Sequence, residues 1–356
     1  MTAIQRQPGL EAHRSGRSVE ESAHRSFGVA DAVPPETAVD LLIVIVNYRS
    51  AELAIDCLAS LEREVQAYPG AHVALVENAS GLEQLDRLAS EIDRRSWRGW
   101  VTLISADRNG GFAAGNNVAM GWAMGWSRRP GLFWLLNPDT VVRPGALSAL
   151  STFLLENPEV GLAGSRLEHP DGSPQYSSFP FPSILGEFEG GLRFGPASRL
   201  LWKNAASQPI AEVPKPVDWV AGASLMIRRE VFDRVGPLDD RYFMYFEEVD
   251  FCRRAADGGW ACWYVPESRV VHLVGQSSDV TSATGATKRR PRYWFEARKR
   301  YFLTHHGRAK TFVANLVHVA AFASYRLRRR IQRKPDGDPK LFLWDLIRYN
   351  FLTVNR

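Results

Sequence analysis

The sequence predicts an α/β protein: a doubly wound, mostly parallel sheet flanked by helices, followed by a helical, basic C-terminal extension. Three observations carry this. Short β-branched runs alternate with helix-spaced segments through the first 155 residues. Each of four apolar runs ends in an unusual polar cluster, and the carboxyl ends of parallel strands are where such sheets bind ligands. Positive charge concentrates in one late segment of the chain.

The elements follow in order. Residues 1–37 mix Arg, Glu, Ser and Gly with the pair Pro34-Pro35 and predict a disordered lead-in without the apolar core of a signal peptide. Leu41-Leu-Ile-Val-Ile-Val46 is a continuous β-branched run, as expected of a strand buried on both faces. Leu53, Ile55, Cys57, Leu58 and Leu61 space a helix over 51–64. Strands are predicted at 71–76, 101–104 and 132–136, and helices at 82–92, 115–126 and 144–155. Residues 164–216 are rich in Pro, Gly and Ser with weak periodicity, and predict a long irregular excursion. From 217 to 272 short strands mix with helices at 229–235 and 247–256.

Composition narrows the class. Hydrophobic residues at 45% and charged residues at 23% fit a globular protein, and no span reaches the ~20 uninterrupted apolar residues of a membrane-crossing helix. Cys57, Cys252 and Cys262 have neither zinc-ligand spacing nor a disulfide framework, which suits a reducing cytoplasm. Residues 288–334 hold 15 Lys/Arg against Glu296 alone, so this segment carries +14 and the remainder −9 of the overall +5. Basicity so confined points to a local anionic partner and away from nucleic acid. Within it, Tyr293, Trp294, Phe295, Tyr301 and Phe302 precede a run of fifteen residues, 311–325, without Asp, Glu, Lys or Arg. That run suits either a helix lying in a membrane surface or a core-packed helix with a solvated basic end, and the flanking charge favours an anionic membrane face.

The candidate site residues gather at the strand ends. Asn47, Glu77, Asn109 and Asn137-Pro138-Asp139 each close an apolar run or follow shortly after one. Gly110-Gly-Phe-Ala-Ala-Gly-Asn-Asn117 is a flexible turn entering a helix, whose N–H groups can face phosphate or sugar hydroxyls or can simply permit tight packing. Asp139 is either a hard oxygen ligand for Mg2+ or Mn2+ on a diphosphate, or a turn residue. Glu77 can accept hydrogen bonds from a base or ribose. Glu247, Glu248 and Asp250 offer a general base, partly desolvated by Tyr242, Phe243, Tyr245 and Phe246. His272 ends another strand-like run, and Trp219 with Gly222 and Ala223 can pack a sugar against indole and backbone.

In this order the pieces resemble family 2 inverting glycosyltransferases of GT-A (Rossmann-like) fold, and within them the rhamnosyltransferase-like branch. The carrying motifs are Val44-Ile-Val-Asn-Tyr48, Val76-Glu-Asn-Ala-Ser80, Arg108-Asn-Gly-Gly-Phe-Ala-Ala-Gly-Asn-Asn117, Asn137-Pro-Asp139, Val220-Ala-Gly-Ala223, Tyr245-Phe-Glu-Glu-Val-Asp250 and Val271-His272. The resemblance runs from 41 to 307 and divides the chain into the lead-in, a glycosyltransferase domain at 38–287 and the extension at 288–356. It implies a divalent metal at Asp139 with His272 near the diphosphate, and a dTDP- or UDP-sugar held by Glu77 and the 109–117 loop. It further implies a base aligned with Glu247-Glu248, with Glu248 favoured over Asp250. The expected acceptor is a cell-envelope glycan or a polyprenyl-linked acceptor at the inner face of the cell membrane. The chain departs from the family pattern at Glu77, Asn137 and Glu248, where an Asp is usual. Two rivals remain: a nucleotidyltransferase, for which Asn47-Tyr48-Arg49-Ser50 lacks the expected glycine, and a silent sugar-nucleotide-binding scaffold.

Overall fold

The structure, a computed structural model, describes residues 32, 34–35, 38–205, 208–273, 288–335 and 337–353. Most of the expected lead-in, and the Gly275-Gln-Ser-Ser segment beyond His272, lie outside the described residues. Strands β1 (Leu41–Asn47), β2 (Ala71–Glu77), β3 (Val101–Ser105) and β4 (Leu132–Leu136) alternate with α1 (Ala51–Ala67), α2 (Leu82–Arg94) and α3 (Gly111–Met124). β5 (Thr140–Val142), α4 (Ala146–Glu156) and β6 (Val160–Glu168) follow. Next come β7 (Ser178–Phe179), α5 (Ile184–Leu192), α6 (Gly195–Leu200), β8 (Lys215–Val217), β9 (Trp219–Val220), β10 (Ser224–Arg228) and α7 (Arg229–Val235). The chain ends through α8 (Glu247–Asp257), β11 (Ala261–His272), α9 (Arg292–Ile331) and α10 (Phe342–Ile347).

β1 explains the sandwich. All seven of its residues are buried, and its period of two divides them between two cores. Leu41, Ile43 and Ile45 join α1 and α4, while Leu42, Val44 and Val46 join α3, α7 and α8. Gly115 lets α3 lie close on this strand: a Cβ there would stand 2.6 Å from Val46 Cγ1.

The main sheet runs β3-β2-β1-β4-β10-β6-β11-β5. Its first four strands are parallel, as predicted. Beyond them β10 lies antiparallel between β4 and β6, β11 is parallel to β6, and β5 and β8 are antiparallel to β11. The parallel reading therefore holds for the β1–β4 half and gives way to a mixed half. The antiparallel pairing of β5 with β11 matters chemically, because it brings β5, which begins just after Asp139, to the strand that ends in His272.

The expectation of an irregular excursion over 164–216 is corrected. This stretch holds most of β6 together with β7, α5, α6 and part of β8. Its weak periodicity has a physical source: α5 buries only Gly191 and is held instead by polar contacts to α9. Glu187 pairs with Arg298 at 2.7 Å and with His318, and Ser183 caps the helix by accepting from Gly186 N. α9 bends at Gly307, whose φ of 74° breaks its helical path. Past the bend Thr311, Ala314, Asn315, Ala321 and Phe322 are buried, while Phe312, Val313, Leu316, Leu327 and Ile331 face outward. Core packing and exposure thus belong to opposite faces of one helix. No helix among the described residues is long and apolar enough to cross a membrane.

Candidate active site

The ends of β1 and β2 are register partners, so Asn47 and Glu77 lie side by side. Asn47 is buried; its Oδ1 accepts from Ser50 N (3.2 Å) and Oγ (3.0 Å), and its Nδ2 is enclosed without a hydrogen-bond partner. Glu77 Oε1 accepts from Ser80 N at 2.8 Å. Asn78, unassigned from sequence, is the knot: its Nδ2 donates to Asn109 Oδ1 (3.1 Å) and to Gly111 O (3.2 Å). Asn109 Oδ1 also accepts from Gly111 N at 2.9 Å.

Gly110 caps α3, and α3 begins four residues before its predicted start. Gly111 has φ +84°, and a Cβ there would fall 1.8 Å from Phe243 O, so only glycine fits. Phe112 N donates to that same carbonyl at 3.0 Å, tying the 109–117 loop to the acidic turn. Asn116 donates to Phe112 O, and its Oδ1 is enclosed without a partner. Asn117 is occupied differently, exchanging both of its amide hydrogen bonds with the Leu238 backbone.

Asp139 and His272 meet although 133 residues of sequence separate them. Asp139 is buried, and its Oδ1 lies 3.5 Å from His272 Nε2. Two ladders set this approach: His272 pairs with Thr140, and Leu273 N donates to Asp139 O at 2.9 Å. Gln175 Nε2 holds His272 O at 2.8 Å, a contact without any local sequence signal. Asn137 N donates to Ala223 O at 3.1 Å, so the Asn137–Asp139 turn and the expected acceptor segment share a backbone bond. One carboxylate and one imidazole suit a divalent ion completed by diphosphate oxygens and water. No cluster of three His, Cys, Asp or Glu side chains that could hold a metal ion occurs among the described residues, so these residues alone make no full cage.

The acidic turn is strained. Tyr245 and Phe246 are consecutive non-glycine residues at φ 74° and 69°, a conformation costing roughly 1–2 kcal/mol per residue. Aromatic contacts from α9 hold it: Tyr293 stacks on Tyr245 (6.0 Å), and Trp294 and Tyr301 flank Phe246 at 6.4 and 5.7 Å.

Just beyond, the three carboxylates have different surroundings. Burial pushes Glu247 well above the usual carboxylate range, and the neighbouring Glu248 charge adds to this. Burial raises Glu248 to about 7 against the pull of backbone N–H groups at Glu248, Val249 and Gly222. Its Oε2 is enclosed without a partner, although part of the side chain stays exposed. A Cβ at Gly222 would touch Glu248 Cβ (3.6 Å) and the Phe112 ring (3.5 Å), so the acidic turn, the 109–117 loop and the 219–223 segment converge there.

Asp250 faces away from this convergence in chemical terms. It binds Arg254 Nε and His305 Nε2, each at 2.8 Å, and these partners lower its pKa despite burial. Trp219 is committed to packing: its ring stacks on Phe179 at 4.4 Å and its N–H donates to Pro180 O. Ala223 contributes backbone only, from a buried position.

The family model described as glycosyltransferase like family 2 matches residues 38–302. The chain belongs to that family. Among similar proteins, the N-acetylglucosaminyl-diphospho-decaprenol L-rhamnosyltransferase of Mycobacterium tuberculosis is 37% identical over 151 residues, covering 41% of this chain and 48% of that one. The dTDP-rhamnosyl transferase RfbF of Shigella flexneri is 23% identical over 239 residues, covering 67% and 71% respectively. The chain thus spans about half the length of the first relative. A mannosyltransferase of Pyrobaculum calidifontis, solved with GDP-Man and Mn2+, superposes with a TM-score of 0.51 at 14% identity over 85% of this chain and 78% of its own. This likeness identifies the fold of the family 2 member as GT-A. Membership in the family sets the nucleotidyltransferase reading aside.

Proposed function

We propose that this family 2 protein transfers rhamnose from dTDP-rhamnose, with inversion, to a hydroxyl of a polyprenyl-diphosphate-linked envelope glycan. The observation that carries it is the convergence of Glu248, a carboxylate raised to about 7, with Phe112 of the donor loop and Gly222. Such a pKa near working pH suits a general base. Glu248 takes the proton of the acceptor hydroxyl as that oxygen attacks the anomeric carbon. The bond from that carbon to the diphosphate oxygen breaks on the opposite face, and its electron pair leaves with the nucleoside diphosphate. Asp139 and His272 would hold a divalent ion, which when bound neutralises charge on the departing diphosphate. Asn47, Glu77 and the Asn109–Asn117 loop would bind nucleotide and sugar. The relatives named as rhamnosyltransferases support the sugar, and the diphospho-decaprenol acceptor of one supports the lipid link.

An anionic membrane at the cytoplasmic face fits the outward stripe of α9, Phe312, Leu316, Leu327 and Ile331. Arg308 and Lys310 stand at one end, and Arg328, Arg329, Arg330, Arg333 and Lys334 at the other. Thermal shifts with dTDP, UDP and GDP, with and without Mn2+, test the donor reading on wild type and Asp139→Asn. Stabilisation by dTDP that requires both the metal and Asp139 is expected. The absence of a shift with every nucleotide would favour the silent scaffold instead.

A further inference from the structure

Arg290 stands just ahead of α9, and its surroundings differ from those of the arginines around it. Arg289 forms a two-pronged pair with Asp345 at 2.6 and 2.8 Å, and Arg193 binds Asp338 at 2.7 Å. Arg298 binds Glu187 at 2.7 Å, and Arg292 binds Glu296 at 2.6 Å. Arg290 has no carboxylate and no hydrogen bond among the described residues, and its Nε is fully enclosed. Its guanidinium lies over the Trp294 ring, 4.9 Å from the centroid. Burial lowers its pKa, the neighbouring Arg193 charge lowers it further, and only Tyr245 acts the other way. The first turn of α9 supplies no acid either. A partly desolvated cation stacked on indole and without a carboxylate partner is suited to receive an anion.

The position says which anion. The Trp294 ring that carries Arg290 also packs against Phe246, which caps α8 directly before Glu247 and Glu248. Tyr245, in electrostatic contact with Arg290, stacks on Tyr293 of the same turn. The cation therefore stands two ring contacts from the proposed base, on the side of α9. There it would meet a charged group attached to the acceptor sugar. The planar fork of an arginine matches phosphoryl oxygens two at a time.

We propose that Arg290 binds the phosphoryl group that adjoins the acceptor sugar, apart from the diphosphate of the donor. Naming that group as the diphosphate of a prenyl carrier rests on the lipid-linked reading above. The cation itself needs only a phosphoryl anion.

The experiment measures binding of inorganic pyrophosphate and of farnesyl diphosphate to the full chain, with the donor site saturated by dTDP and Mn2+. Wild type is compared with Arg290→Gln and Arg290→Lys, and melting temperatures check the fold. Loss of a charge-assisted contact should weaken both probes by about 10- to 100-fold in Arg290→Gln and by less in Arg290→Lys, with dTDP affinity unchanged. Unchanged probe binding in both variants would overturn the proposal. Weakened dTDP binding would overturn it by assigning Arg290 to the donor. Weakened sedimentation with phosphatidylglycerol vesicles, at unchanged pyrophosphate affinity, would overturn it by assigning Arg290 to lipid headgroups. Transfer assays separate this inference from the reading beneath it. Undiminished transfer to a prenyl-diphosphate acceptor by Arg290→Gln retires the site and keeps the acceptor. Lost pyrophosphate affinity, with no transfer to such an acceptor by wild type, keeps the site and retires the acceptor.

Discussion

Glu248 and Asp250 are two residues apart, yet their environments drive their protons in opposite directions. Burial raises Glu248 to about 7, while His305 and Arg254 lower Asp250 against its burial. Glu248→Gln should reduce kcat by about 10²- to 10⁴-fold, in the range of a lost general base, and leave dTDP affinity unchanged in a titration. A pure binding protein would show no turnover to lose. Because the ionised form is the base, the rate should rise with pH and level off above about 7. Stability runs the other way. The folded state holds this proton more tightly than the unfolded chain, so the stabilisation is complete below the ordinary value of 4.5 and lost as pH rises through 7. Melting curves should therefore show Glu248→Gln above wild type at pH 8, with the gap closing near pH 4.5. Asp250→Ala should cost about 3–5 kcal/mol in urea unfolding at neutral pH, because Arg254 loses its buried counter-charge and His305 its hydrogen-bond partner. Asp139, Glu77 and Asn47 were readable as strand-end polar residues. Gln175 and His305 were not, because each owes its role to a partner at least 55 residues away in another element.

At the scale of elements, the turn before α8 is the joint of the site. Phe243 O receives Phe112 N from the donor loop, and the strained Tyr245–Phe246 pair rests on Tyr293, Trp294 and Tyr301. Gly111→Ala should displace this joint, since the added Cβ would meet Phe243 O at 1.8 Å. Loss of dTDP-induced thermal stabilisation is the expected readout. Tyr293→Ala should lower kcat by more than it raises the donor KM, because it loosens the turn and spares Asn47 and Glu77. The same packing changes how the extension is best tested. Deleting 288–356 would remove the supports of the base turn along with the basic helix, so a truncation cannot isolate membrane contact. The helix over 229–235 was predicted with its observed ends, since Arg229–Val235 carries its own punctuation in Gly236 at φ 76°. α5 was missed, because its support comes from Arg298 and His318.

Across the whole molecule, two faces of α9 meet different surroundings. One face carries Phe322 and Tyr301 into the body, and the other carries Phe312, Leu316, Leu327 and Ile331 outward between basic ends. Replacing these four with Gln should cut sedimentation with phosphatidylglycerol vesicles while leaving the melting temperature near wild type. Each basic residue at an anionic leaflet contributes roughly 1 kcal/mol, so 0.5 M (about 3- to 5-Å screening) salt should weaken the wild-type interaction as well. Binding unaffected by either change would remove the membrane from the proposed function.

The sequence by itself determined the parallel half of the sheet and the carboxylates and amides at its strand ends. Those features are local: a β-branched run buries itself on both faces, and the residue that ends it has nowhere to go but the sheet edge. Only the tertiary structure decided which of them meet. Asp139 reaches His272 because β5 pairs antiparallel with β11, and Glu248 is set apart from Asp250 because a histidine 55 residues later claims the latter. Such pairings depend on chain reversal and on partners from distant elements, and periodicity carries no record of either.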